Sequence, residues 1–253
     1  MASTGLLSSP LLLRNSLQLH FCSLPCRQPM ASFTLSKTLA EIENSGVVAC
    51  LRAQSGKLAV EAARVALGAG ISVLEVVMST PGAVEVIQEL SHDHPASIIG
   101  AGTVLTVKDA RNAIKAGAKF LMSPVTVKEI LDEVQGTNVL YIPGVMTPTE
   151  VFNVYNAGAR VVKVYPISAL GGPQYISAIK KPFSHIPMVA SQGITLDTTR
   201  TYIVQGASAV VLSDAIFEKH AMQDRNFDVI HQFACCAASN GREAVKTKRG
   251  GEI

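Results

Sequence analysis

The chain has 253 residues, 48% hydrophobic and 16% charged, enough for one sizeable core and too apolar for a disordered chain. Its formal charge of +3 comes from residues 1–40, where Arg14, Arg27 and Lys37 meet no Asp or Glu; the remainder carries 19 basic and 19 acidic side chains. A neutral body with no Trp and 5% aromatic residues lacks both the electrostatic footprint and the stacking surface of a nucleic-acid binder, and the N-terminal apolar run Leu11–Leu13 falls far short of the roughly 20 residues of a membrane span.

The first forty residues are rich in Ser and Leu, sparse in Arg and free of acids, the composition of an organelle transit peptide. Residues 1–35 are read as that segment, a disordered extension being the competing reading. Cys22 and Cys26 would leave with it. The remaining Cys50, Cys235 and Cys236 form no CxxC pair and no zinc spacing, so they read as reduced structural thiols.

From Val47 onward, β-branched runs alternate with stretches of helical period. Candidate strands are Val47–Leu51, Ser72–Val77, Ser97–Gly100, Lys119–Met122, Asn138–Ile142, Val161–Tyr165, Ile186–Ala190 and Ser208–Leu212. Between them lie helix-start signals. Thr80-Pro81 offers an N-cap followed by Pro, Thr126-x-x-Glu129 and Thr147-Pro148-x-Glu150 read as capping boxes, and Thr106-x-x-Asp109 is a weaker relative. A weak repeat, in which a Gly-containing turn feeds a hydrophobic strand, recurs at Gly70, Gly117, Gly158 and Gly206. Each interval holds two strand-helix units, and eight units fill the chain. An open doubly wound sheet would need a switch-point motif, but Gly100-Ala101-Gly102 lacks the third glycine and downstream acid of a dinucleotide fingerprint. The expected fold is a single (β/α)8 TIM barrel in the α/β class over residues 36–241, with 242–253, including Lys246, Lys248 and Arg249, as a solvated tail.

In such a barrel, functional groups sit at the C-terminal ends of strands. Two charges stand inside apolar runs: Glu75 in Val73–Val77 on the second strand, and Lys163 in Val161–Tyr165 on the sixth. Burying either alone costs several kcal/mol, so a shifted pKa or a mutual contact is expected. A lysine held dry retains free amine for imine formation with a carbonyl, and a nearby carboxylate can shuttle its protons. A buried structural ion pair is the competing reading. Arg52 and Thr103, at two further strand ends, suit the carboxylate and a second polar atom of an α-keto acid; a helix-capping or solvated Arg52 and a loop-satisfying Thr103 are the structural alternatives.

Through the segments GISVLEVVMST, IIGAGTVLTVKDARNAIKAGAKFLMSP, VLYIPGVMTPTE and VVKVYPISALGGPQYISAIKKPF, the chain from about Thr38 to Gly241 resembles the bacterial-type KDPG/KHG (2-keto-3-deoxy-6-phosphogluconate and 4-hydroxy-2-oxoglutarate) aldolase family. The resemblance implies a homotrimeric class I aldolase acting on a small 2-keto acid without metal or other cofactor. Lys163 matches its Schiff-base lysine, Glu75 its general acid/base, and Arg52, Thr103 and Pro124 its pyruvate pocket. With the long N-terminal extension it suggests a plastid-targeted version, mitochondrion and cytoplasm being the alternatives.

Three departures bear on the substrate. Ser79 stands where the family commonly has a carboxylate-binding arginine, and Ser191-Gln192-Gly193 replaces a Thr-Gly-Gly phosphate turn. Ser213-Asp214 replaces a Gly/Ser-rich loop, and a carboxylate about 4 Å from a phosphate repels it by roughly 1 to 4 kcal/mol per charge pair. The backbone amides of Gln192, Gly193 and Ser213 can still form an anion nest if Asp214 points away, and Gly171-Gly172 offers a flexible turn for the aldehyde side or an ordinary turn before a helix. Cleavage of KDPG to pyruvate and glyceraldehyde 3-phosphate is therefore the leading expectation. An unphosphorylated substrate such as 4-hydroxy-2-oxoglutarate, decarboxylation of oxaloacetate, and a non-catalytic binding barrel are the rivals.

Overall fold

The computed structural model describes residues 30–250. Nine parallel strands, β1 Val47–Leu51, β2 Val73–Val77, β3 Ile98–Gly102, β4 Phe120–Met122, β5 Leu140–Ile142, β6 Gly144–Val145, β7 Val162–Val164, β8 Met188–Ser191 and β9 Ala209–Leu212, run in the order β5-β4-β3-β2-β1-β9-β8-β7-β6. Strands β5 and β6 are one stretch of chain interrupted at Pro143, which has no N–H to place in a ladder. The Ile142 carbonyl accepts from Ser123 N on one side, and the Pro143 carbonyl accepts from Lys163 N at 2.8 Å on the other, so this stretch closes the cylinder. The expected eight strands thus form a (β/α)8 barrel.

Helices α2 Gly56–Gly68, α3 Ala83–Asp93, α4 Val107–Lys115, α5 Lys128–Val134, α6 Pro148–Asn156, α7 Pro173–Lys180 and α8 Thr199–Val204 alternate with the strands, and α9 Lys219–Gln223 and α10 Phe227–Gly250 follow β9. No described helix is long and apolar enough to cross a membrane. The four repeat glycines all take left-handed φ between 97° and 119°, the conformation that ends each helix and returns the chain to a strand.

Side chains alternate between two cores. Outward residues such as Ala49, Leu51, Leu74 and Val76 pack against the helices, while Val48, Val73, Ile98, Phe120, Leu140, Val161, Val189 and Ala209 fill the barrel interior. The helix preceding β1, α1 Met30–Ser45, contributes Leu35, Leu39 and fully buried Ile42 to the interior cluster and closes the N-terminal end. The barrel is therefore solid below and open only above.

Several expectations are corrected. Thr80 does not cap α3, whose N-cap is left-handed Gly82; buried Thr80 instead accepts a hydrogen bond from Ala53 N at 3.2 Å, tying the loop after β2 to the one bearing Arg52. Thr126 does not cap α5 but donates to the Gly144 carbonyl at 3.0 Å. Thr147 and Glu150 do form a reciprocal capping box, and Thr106 caps α4. Most predicted strands run a residue or two beyond the ladders, whereas β3 continues to Gly102. The expected solvated tail is, through Gly250, the end of α10: Ala244 and Val245 are buried, Arg242 donates to the Gly70 carbonyl, and Lys248 donates to the Gly206 and Ala207 carbonyls. Of the expected transit segment, residues 1–29 lie outside the described residues, and 30–35 belong to α1.

Candidate active site

Alternation along each strand aims the same parity inward, so the residue after the last interior aliphatic reaches the open mouth. Cys50 and Arg52 follow Val48, Glu75 and Val77 follow Val73, and Lys163 and Tyr165 follow Val161. Together with Thr103, Pro124, Ser191, Gln192, Gly193 and Ser213 they line a cavity of about 890 Å³. Nine of the eleven expected site residues meet there. Gly171 and Gly172 do not; Gly172 is the N-cap residue of α7. Asp214 is on the cavity wall, and Ser79 is exposed outside it.

Glu75 is 1% exposed and Lys163 6%. The two share the cavity, yet no ion pair within 4.0 Å joins them among the described residues, so the expected contact is corrected. The reason lies on β3. Gly102 stands beside Glu75, and a Cβ there would lie 1.6 Å from Oε1 and 2.3 Å from Cδ, so the carboxylate occupies the volume that a side chain would fill. Glu75 Oε2 is buried without a hydrogen-bond partner, at a desolvation cost of about 1–3 kcal/mol or more for a charged group. Lys163 Nζ lies 5.4 Å from the Tyr165 ring centroid.

Cys50, read from the sequence as a structural thiol, lines this cavity. It pairs in register with Glu75, and its inward parity two positions before Arg52 was the available signal. Burial pushes its thiol well above the ordinary range and the Glu75 carboxylate adds to this, against smaller opposing pulls from Lys163 and Arg52. A protonated thiol is a poor nucleophile, which leaves carbonyl attack to the amine.

The wall near Pro124 is fixed by a buried network. Ser123 Oγ donates to the Val104 carbonyl, Tyr141 OH donates to Ser123 Oγ at 3.1 Å, and Val127 N donates to Tyr141 OH at 3.1 Å. Burial raises the Tyr141 pKa against those hydrogen bonds, keeping the phenol a donor. Gly144 completes the fit, since a Cβ there would lie 2.2 Å from the Pro124 carbonyl carbon and oxygen. Thr103, at φ 55, and Gln192, at φ 87, are non-glycine residues in left-handed backbone, a strain of order 1–3 kcal/mol each that collects at functional sites. Asp197, Glu218 and Phe233 also line the cavity. Backbone amides of the α9 N-terminus, led by that of His220, hold the Glu218 carboxyl below its usual range.

A buried lysine and an unpartnered buried carboxylate in the mouth of a closed (β/α)8 barrel are the groups that imine chemistry on a carbonyl substrate requires. The chain belongs to the KDPG and KHG aldolase family, whose model matches residues 39–233, and is thus an aldehyde-lyase. It is 35% identical over 145 residues to the 2-dehydro-3-deoxy-phosphogluconate aldolase of Treponema pallidum (strain Nichols), covering 57% of this chain and 69% of that one. It is 29% identical over 212 residues to the KHG/KDPG aldolase of Escherichia coli (strain K12), covering 83% and 96%. The crystal structure of KDPG aldolase from Legionella pneumophila, with pyruvate captured at low pH as a covalent carbinolamine intermediate, superposes with a TM-score of 0.74 at 27% identity, covering 79% and 97%. The alternative of a non-catalytic binding barrel gives way to this membership.

Two outcomes follow from the geometry. Gly102→Ala displaces the Glu75 carboxylate and lowers turnover by about 100-fold or more while the circular dichroism spectrum is kept, the magnitude typical of a lost acid–base group; full turnover in this variant contradicts the packing account. Because the Cys50 thiol titrates well above its ordinary range, thiolate is scarce at neutral pH and grows only as pH rises through that raised value. Peptide mapping after iodoacetamide treatment at pH 7 should show exposed Cys235 and Cys236 labelled and Cys50 spared; prompt labelling of Cys50 contradicts it.

Proposed function

We propose that the chain cleaves 4-hydroxy-2-keto acids to pyruvate and an aldehyde through an imine on Lys163, with KDPG, giving glyceraldehyde 3-phosphate, as the leading substrate. The observation that carries the reading is the pairing of Lys163 with the orphaned Glu75 Oε2 in one cavity, both side chains buried and at a separation too large for an ion pair. In such a substrate the carbonyl carbon C2 and the carbon bearing the hydroxyl, C4, are separated by C3. The amine that works on C2 and the base that works on the C4 hydroxyl must therefore stand apart.

Lys163 Nζ adds to C2, the carbinolamine loses water, and a protonated imine forms. Glu75 accepts the C4 hydroxyl proton as the C3–C4 bond breaks. The bonding pair moves into C3–C2 and neutralises the iminium as an enamine, and the aldehyde departs. Proton return to C3 and hydrolysis of the imine release pyruvate and free the amine. Arg52 supplies a bidentate partner for the keto-acid carboxylate, Thr103 a hydroxyl, and Pro124 a rigid apolar wall.

A second reading is favoured by Asp197 and Asp214 on the turns after β8 and β9: an unphosphorylated substrate such as 4-hydroxy-2-oxoglutarate, or oxaloacetate, whose decarboxylation passes through the same enamine. The Escherichia coli relative is named for both KHG and KDPG.

We further propose a homotrimer in a plastid. Exposed Leu105, Val125, Met146 and Phe152, on the loops and helix after β3, β4 and β6, supply apolar surface for self-association, and the acid-free first forty residues supply the address. Sedimentation equilibrium should report three chains per particle and a fluorescent fusion of residues 1–35 should enter chloroplasts; a monomer or a cytosolic fusion refutes the respective part.

Borohydride reduction with saturating pyruvate should add one pyruvyl group to the peptide containing Lys163, and Lys163→Met should abolish both the adduct and cleavage. An unmodified Lys163 peptide in active protein refutes the mechanism.

A further inference from the structure

Gln192 combines three features. It lines the cavity, it holds φ 87 where glycine alone sits without strain, and its side chain is braced. The brace is Ser168, on the 3-10 helix Ile167–Leu170 that follows the lysine strand. Its hydroxyl donates to Gln192 Oε1, and a Cβ on the next residue, Gly193, would lie 2.6 Å from Ser168 Cβ. With Oε1 engaged, the Nε2 donors make no hydrogen bond among the described residues. Beside the hydroxyls of Thr195 and Ser213, the turns after β8 and β9 present the charged Asp197, Asp214 and Glu218 to the cavity, and no Lys or Arg. A neutral amide donor among carboxylates suits an uncharged hydroxylated group and opposes a dianion.

We propose that Gln192 is a specificity-determining residue of the imine reaction, its Nε2 donating to a hydroxyl oxygen on the aldehyde half of the substrate. The strained backbone is retained because it aims this amide, and the consequence is a bias toward unphosphorylated 2-keto-3-deoxy sugar acids. The inference rests on the aldolase reading of the same cavity and, within it, favours the second reading above, an unphosphorylated substrate, over KDPG.

The test compares kcat/KM for KDPG and for unphosphorylated 2-keto-3-deoxygluconate in the full chain and in Gln192→Gly and Ser168→Ala. Glycine accommodates the left-handed backbone, so Gln192→Gly keeps the turn and should melt no lower than the parent. The ratio favouring the phosphorylated substrate should rise about tenfold in Gln192→Gly, the worth of one neutral hydrogen bond, and move less in the same direction in Ser168→Ala. Exchange of pyruvate methyl hydrogens in heavy water reports Lys163 and Glu75 without any aldehyde. Normal exchange with an unchanged substrate ratio overturns the role of Gln192 alone. A parent chain that exchanges no pyruvate hydrogens overturns the imine reading and this inference with it.

Discussion

An amine and a carboxylate held inside a cylinder of aliphatic side chains is the constraint on which the rest of this structure depends. Each group taken out of water costs several kcal/mol, and a direct ion pair would be the simplest compensation. Here Glu75 instead lies over the bare backbone of Gly102 and keeps one oxygen unpartnered. Such an arrangement is uncomfortable for an empty protein and well suited to one that places a hydroxylated keto acid between the two groups. The surrounding architecture serves this gap: α1 stops the lower end with Ile42, the Ser123–Tyr141 network holds the Pro124 wall, and Thr80 anchors the loop carrying Arg52.

Much of the fold was legible because it is written in local signals. The repeat glycines do form the turns that feed the strands, each at positive φ, and the Thr147 capping box forms as its spacing requires. What failed was decided by tertiary contact. Gly100-Ala101-Gly102 looks like a loop, yet it completes β3 because the Phe120 ring and the Glu75 carboxylate fill the space its missing side chains leave. Gly241, the expected end of the domain, instead lies inside α10, where a Cβ would lie 2.5 Å from the Ser45 carbonyl oxygen. Thr80 and Thr126 carry capping chemistry but spend it on backbone groups of other loops.

The site was legible for a different reason: charges are conspicuous in apolar strands, and inward parity carries Arg52, Glu75, Lys163 and Ser213 to one mouth. Cys50 was overlooked because a cysteine among aliphatics is chemically silent in a sequence; only its register with Glu75 reveals where it stands. The carboxylates Asp197 and Glu218 belong to turns whose course no period predicts. The strand-borne part of the cavity is thus readable from residue types, and the part bearing these carboxylates only from the assembled loops.

The most direct measurement is a crystal structure of the chain soaked with pyruvate. The account requires continuous density from Lys163 Nζ to the C2 carbon, with Glu75 Oε2 within about 2.6–3.2 Å of the carbinolamine hydroxyl or of a water bound in its place. Pyruvate lying free of Lys163, or a Glu75 carboxylate turned away from it, would contradict the account.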